Sequence, residues 1–186
     1  MSAPKPNPKQ LCDELRALGR HAPSPESHAR AVRNLTNKWE GVQVCAATIL
    51  SQWGGRPSVS ALRAWLLRSY EREAGWSLRG QAAKLLARCV TAEDAEWIVD
   101  LYFAAPGVFG KHELLPLVVA LPVGAVRARF REEMQSTDRD KRQATMKAII
   151  RMPFPERTEL LTPFTHDPDP DIQRVARWAV TYRIEQ

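Results

Sequence analysis

Three aspartates stand at alternate positions in THDPDPDIQRVARWAV: Asp167, Asp169 and Asp171. Carboxylates in that pattern open a helix-loop-helix calcium loop, which also needs a Gly at its sixth position and a bidentate Glu at its twelfth. Counted from Asp167 those positions hold Ile172 and Trp178, and Pro168 and Pro170 stiffen the backbone that would have to curl around an ion. The same residues fit a helix start. Asp169 is placed to cap, Pro170 to take the first helical position where no N–H is needed, and Asp171 to face the positive end of the helix dipole. The four histidines, His21, His28, His112 and His166, show no ligand spacing to one another or to a cysteine. No GxSxG, P-loop or Gly-rich phosphate cradle occurs. The expectation is a chain without metal, cofactor or catalytic nucleophile.

Cations carry the other chemistry. Lys84 and Arg88 are four residues apart, as are Lys147 and Arg151, so each pair is expected to stack on one helical face. Arg79 precedes the first pair, and Arg174 and Arg177 follow the second. These seven residues are the candidate binding set. Such groups suit the phosphates of a nucleic acid or an acidic protein surface.

Helices must position them. Apolar residues recur at three- and four-residue steps in QLCDELRALG, SALRAWLLRSYERE, LRGQAAKLLARCV, DAEWIVDLYF and IQRVARWAV, and no stretch alternates as a half-buried strand does. The breaks carry stops and caps: Asn7-Pro8, Ser24-Pro25, Gly54-Gly55-Arg56-Pro57, Pro106-Gly107, Pro122, Pro153-Phe154-Pro155 and Pro163. Thr91 to Asp94 reads as a capping-box variant. Eleven helices fit between these marks. Trp65, Trp97 and Trp178 sit among apolar neighbours and read as packing residues.

The 186 residues make one domain by length, with residues 1–6 as a tail and 7–23 as an N-terminal capping helix. Composition is that of a water-soluble protein, 44% hydrophobic and 26% charged with a net charge of +6, which admits an acidic partner. No apolar run is long enough to span a membrane, and MSAPKPNPKQ lacks a signal peptide's apolar segment, so a cytoplasmic location is expected. Cys12, Cys45 and Cys89 form no CxxC pair and cannot all pair within one chain; Cys45 and Cys89 lie in apolar helical patterns and read as free thiols in the core.

The helices also repeat. WEGVQVCAATIL, GWSLRGQAAKLL and DPDIQRVARWAV align with Val42, Leu78 and Ile172 in one slot, Ala46, Ala82 and Ala176 four residues on, and Leu50, Leu86 and Val180 eight on. DRDKRQATMKAII places Arg142, Met146 and Ile150 in the same slots, with Arg142 departing from the apolar rule. The copies are spaced by 36, 64 and 30 residues, and the longest interval holds one further copy around GKHELLPLVVAL, where Pro116 interrupts the pattern. Small alanines in the middle slot allow close approach of stacked helices.

At these residues, DPDPDIQRVARWAV and SLRGQAAKLLARCV above all, the chain resembles the HEAT-repeat family over roughly residues 24–184. The resemblance implies an all-α, right-handed α-solenoid of about five antiparallel helix pairs, with second helices lining a concave face. Arg79, Lys84, Arg88, Lys147, Arg151, Arg174 and Arg177 all belong to second helices, so the resemblance also implies a basic concave face. HEAT arrays are mostly binding scaffolds. The expected function is therefore a non-enzymatic scaffold or adaptor for a protein partner or, second, a nucleic acid. One enzymatic alternative shares the architecture: the chain is also similar to short HEAT-type bacterial alkylpurine DNA glycosylases, with Trp97 and Asp100 in AEWIVDLYF as the aromatic and acidic residues in question.

Overall fold

A computed structural model of the chain describes residues 7–71, 76–105, 107–152 and 156–181, with the side chains of 76 and 107–109 outside the described set. The expected tail 1–6 and the breaks at Pro106 and Pro153-Phe154-Pro155 lie outside the described residues. What is described is all-helical, with no strand. The chain divides into two units, the first ending at Val90 and the second starting at Thr91.

The first unit holds α1 (Pro8–Leu18), α2 (Pro25–Asn34), α3 (Glu40–Trp53), α4 (Gly55–Glu71) and α5 (Trp76–Leu86). Asn7 and Gln10 close a reciprocal capping box on α1, and Ser24 does the same with Ser27 on α2. Both helices carry Pro just inside the cap, where its missing N–H costs nothing. α1 stops at Gly19, short of the capping helix expected over 7–23. Gly54 separates α3 from α4 with φ 64° and ψ −158°, a backbone that only glycine adopts without strain. α3 is the central element and packs on α1, α2, α4 and α5. Val42, Ala46 and Leu50 on α3 and Ala82 and Leu86 on α5 are fully buried. Each large aliphatic side chain sealed in this way stabilises the fold by roughly 1.5–3 kcal/mol.

The second unit holds α6 (Ala95–Ala104), α7 (Gly107–Val119), α8 (Val123–Met134), α9 (Arg139–Ile150), α10 (Glu156–Leu161) and α11 (Pro170–Thr181). A 3-10 turn from Ala92 to Asp94 leads into α6, with the Asp94 carboxylate accepting from the Thr91 N–H at 2.9 Å. A second, Thr162–His166, precedes α11. α8 packs on α6 and α10, and α9 packs on α7 and α11, so alternate helices neighbour one another. Pro116 does not interrupt α7: it lies in the last turn, and the helix runs on to Val119. A proline there forfeits one bond to the carbonyl of His112, an exposed residue whose carbonyl water can satisfy. Ile172 and Ala176 on α11 and Met146 on α9 fill the register slots as buried residues.

Arg142 occupies an apolar slot of that register, and it too is buried, at 9% exposure. Its Nε donates to Asp167 Oδ2 at 2.8 Å and its second nitrogen to Asp167 Oδ1 at 3.3 Å, while the third reaches the carbonyls of Ser136 and Thr137. A planar fork is thereby satisfied in the interior, the condition under which a buried charge is tolerated. Asp167 also accepts from the Asp169 N–H at 2.8 Å. One clamp thus joins the loop before α9 to the loop before α11.

Candidate functional site

The DPDPD run is resolved by its hydrogen bonds. Asp169 Oδ1 accepts from the N–H groups of Asp171 and Ile172, both at 3.0 Å, which is the cap of α11. Its other oxygen bonds Arg139 on α9. Asp167 is committed to Arg142, and Asp171 pairs with Arg174 at 2.8 Å. Among the described residues no group of three or more His, Cys, Asp or Glu is arranged to hold a metal ion, and no helix is long and apolar enough to cross a membrane.

The seven candidate cations fall into distinct situations. Arg79 is half-buried with its guanidinium 5.1 Å from the Tyr70 ring centre. Lys84 is exposed on α5, but Arg88 does not continue that helix: α5 ends at Leu86, and Arg88 sits in the following turn with its N–H on the Leu85 carbonyl. Arg174 is held by Asp171, and Arg177 Nε donates to the Thr165 carbonyl at 3.1 Å. The cations of α8 are neutralised in the same way: Arg127 and Arg131 share Glu159, and Arg129 meets Glu133, Glu132 and Asp100. Lys141 lies 3.6 Å from Glu133.

Lys147 and Arg151 are exposed, and among the described residues neither side chain has a hydrogen-bond or ion-pair partner, as is also true of Lys84 and Arg88. What sets them apart is their surroundings. They line a cleft of about 390 Å³ formed by one face of α9 (Asp140, Gln143, Ala144, Lys147, Ile150, with Arg151 at the cap), by Lys111, His112 and Leu115 of α7, and by Tyr102 of α6. The α9 residues recur at three and four, so the wall is one helical stripe. Tyr102 is buried, and its hydroxyl donates to the Ala144 carbonyl at 2.9 Å. Burial pushes that phenol well above its ordinary value of 10.0, so it stays neutral. Lys111 Nζ donates to the Ala105 carbonyl at 2.9 Å, which fixes its ammonium at the cleft. The result is a floor of Tyr102, Leu115, Ala144 and Ile150 beside four basic side chains, Lys111, His112, Lys147 and Arg151, with the Gln143 amide, and with Asp140 as the one carboxylate of the lining.

Lys111 and His112 escaped the sequence reading. They lie on a helix whose register Pro116 obscured, and only packing of α7 on α9 brings them to Lys147. Among the tryptophans, Trp65 is buried with its indole N–H on Gln43, and Trp97 gives its N–H to Asp94 at 3.2 Å. Trp178 is 49% exposed, so it is not the packing residue expected: its α11 buries Ile172, Ala176 and Ala179, and position 178 faces away from that stripe. Asp100 is 62% exposed and 3.7 Å from Arg129, outside the cleft.

No protein-family model matches this chain, and no curated protein is detectably similar to it in sequence.

Proposed function

We propose that the chain is a non-enzymatic interaction scaffold of HEAT-like type, taking an acidic segment of a protein partner in the cleft between α7 and α9. The observation that carries this reading is the pairing of an apolar floor with the uncommitted cations Lys147 and Arg151. A segment bearing carboxylates around an apolar side chain satisfies both, because the floor takes the side chain while the cations meet the acids. The alternation of neighbours, α7–α9–α11 beside α6–α8–α10, supports stacked helix pairs, and the buried register residues support the repeat.

Nucleic acid fits less well. A phosphate backbone favours a run of cations, whereas Arg174 and Arg177 are spent on internal partners and Asp140 faces into the cleft. The glycosylase alternative draws no support from Asp100, which lies on an exposed face paired with Arg129.

Fluorescence anisotropy with a labelled peptide of alternating Glu and Leu, and with a short duplex DNA, tests the proposal. The peptide is expected to bind, weakening with salt, and Lys147→Glu with Arg151→Glu is expected to weaken it at least about tenfold, since each rim reversal replaces attraction by repulsion. Unchanged peptide affinity in that variant refutes the cleft. Tighter binding of DNA, with a steep salt slope, moves nucleic acid to first place.

A further inference from the structure

Cys12 on α1 and Cys45 on α3 are 33 residues apart in sequence, yet their Sγ atoms lie 2.8 Å from each other, inside sulfur–sulfur van der Waals contact. Both are free thiols, and both are half-buried rather than sealed in the core. Cys12 also points its thiol at the Gly41 carbonyl, 3.6 Å away. Cys45 lines a separate cavity of about 460 Å³ between α1 and α3, flanked by Arg16 and Arg20 and by the amide of Gln52. Reagents can therefore reach Cys45, and the exposed guanidinium of Arg20, beside Arg16 and its Asp13 partner at 3.2 Å, favours anionic ones. Cys89 has no part in this, since its Sγ is turned to the Leu86 carbonyl at 3.3 Å.

Leu15 is the one fully buried residue of α1, with Leu11, Cys12 and Leu18 half-buried where the helix packs on α3. A covalent bond at Cys12 would add a tether to that packing, because it would close the chain from α1 to α3 around α2.

We propose that Cys12 and Cys45 are a reversible dithiol–disulfide pair, oxidised by a small anionic disulfide entering the cavity beside Cys45, and that the bond locks α1 onto α3. The Cys45 thiolate attacks one sulfur of the reagent, forming a mixed disulfide and releasing one thiolate, which takes up a proton. Cys12 then loses its proton to solvent and attacks Cys45 Sγ, expelling the second thiolate, which is protonated in turn. Two protein thiols and one small disulfide become one protein disulfide and two small thiols, so atoms, protons and the two electrons balance. Burial and, after it, the neighbouring Cys45 push the Cys12 thiol up to about 11, so Cys12 is not the first nucleophile.

The test uses the full chain, reduced and then treated with oxidised glutathione. Peptide mapping under non-reducing conditions is expected to find a Cys12–Cys45 link, Tm to rise by about 10 °C or more, and α1 amides to exchange more slowly. Cys89→Ser keeps all three effects. Cys12→Ser is expected to stop at a glutathione adduct on Cys45. Arg16→Glu with Arg20→Glu is expected to slow the reaction at least about fivefold for oxidised glutathione but not for the neutral bis-hydroxyethyl disulfide. A link through Cys89, no intramolecular link in the wild-type chain, or a Cys12–Cys45 link that leaves Tm and α1 exchange unchanged would each overturn the proposal; the mapping on wild type needs no variant to fold.

Discussion

Arg142 shows how one residue acquires a role that its position in a pattern conceals. The slot asks for an aliphatic side chain, and the buried guanidinium meets the demand for volume while joining two loops through Asp167. Arg142→Ala leaves the Asp167 carboxylate buried beside an empty space and strips the Ser136 and Thr137 carbonyls of their donor. The expected cost is about 3–5 kcal/mol, read as a fall in the urea midpoint. Asp169 gives a pH signature. The hydrogen bond from Arg139, reinforced by the Ile172 N–H, holds its carboxyl below the ordinary value of 3.8. A lowered native pKa contributes stability that is complete above the unfolded value and is lost as pH falls below it. Asp169→Asn keeps an oxygen for the cap and removes the titration, so its Tm is expected to fall less than that of wild type between pH 5 and strongly acid solution. Equal acid sensitivity in the two proteins would show that Arg139 does not act through Asp169.

At the scale of elements, the helices are set by local chemistry and joined by local strain. Gly80 lies inside α5, and a Cβ there would meet nothing within 4 Å, so Gly80→Ala is expected to raise stability by about 0.5–1 kcal/mol through the lost freedom of the unfolded chain. Gly54 has the same open surroundings but a φ of 64°, and Gly54→Ala is expected to cost about 1–3 kcal/mol from backbone strain alone. Thermal unfolding of the two variants measures opposite signs for one chemical change. If both shift the same way, the turn between α3 and α4 is not held in the conformation described. Element existence was legible because period and caps are local: the Asn7, Ser24, Thr91 and Asp169 signals each open a helix or helical turn. Element ends were less so, and Arg88 fell outside α5 because nothing in ARCV marks the stop.

For the whole molecule, the assignment of every carboxylate in DPDPD to a cap or an arginine has a thermodynamic consequence. A chelator is expected to leave both Tm and the far-UV helical signal unchanged, because among the described residues no group is arranged to hold a metal that could contribute folding energy. A large drop in Tm on adding EDTA would return the aspartates to a metal loop. The proposed cleft and the proposed thiol pair lie in different units, the cleft in the second and the thiols in the first. Reversal of Lys147 and Arg151 should therefore leave disulfide formation intact, and the two proposals stand or fall separately.

The sequence by itself determined the helical class, the buried register of Val42, Ala46, Leu50, Ala82, Leu86, Ile172 and Ala176, and the caps, because each depends on spacing of a few residues within one helix. It also named Lys147 and Arg151, since they stand four residues apart, Lys147 in the last turn of α9 and Arg151 at its cap. Tertiary structure alone decided which cations remained uncommitted. Arg174 and Arg177 carry the same charge as Lys147, but whether a charge is left for a partner depends on which carboxylate or carbonyl the fold brings within about 3 Å. The same holds for Lys111 and His112 at the cleft and for Cys12 against Cys45. These are contacts between helices, and periodicity along one helix carries no record of what its neighbour presents.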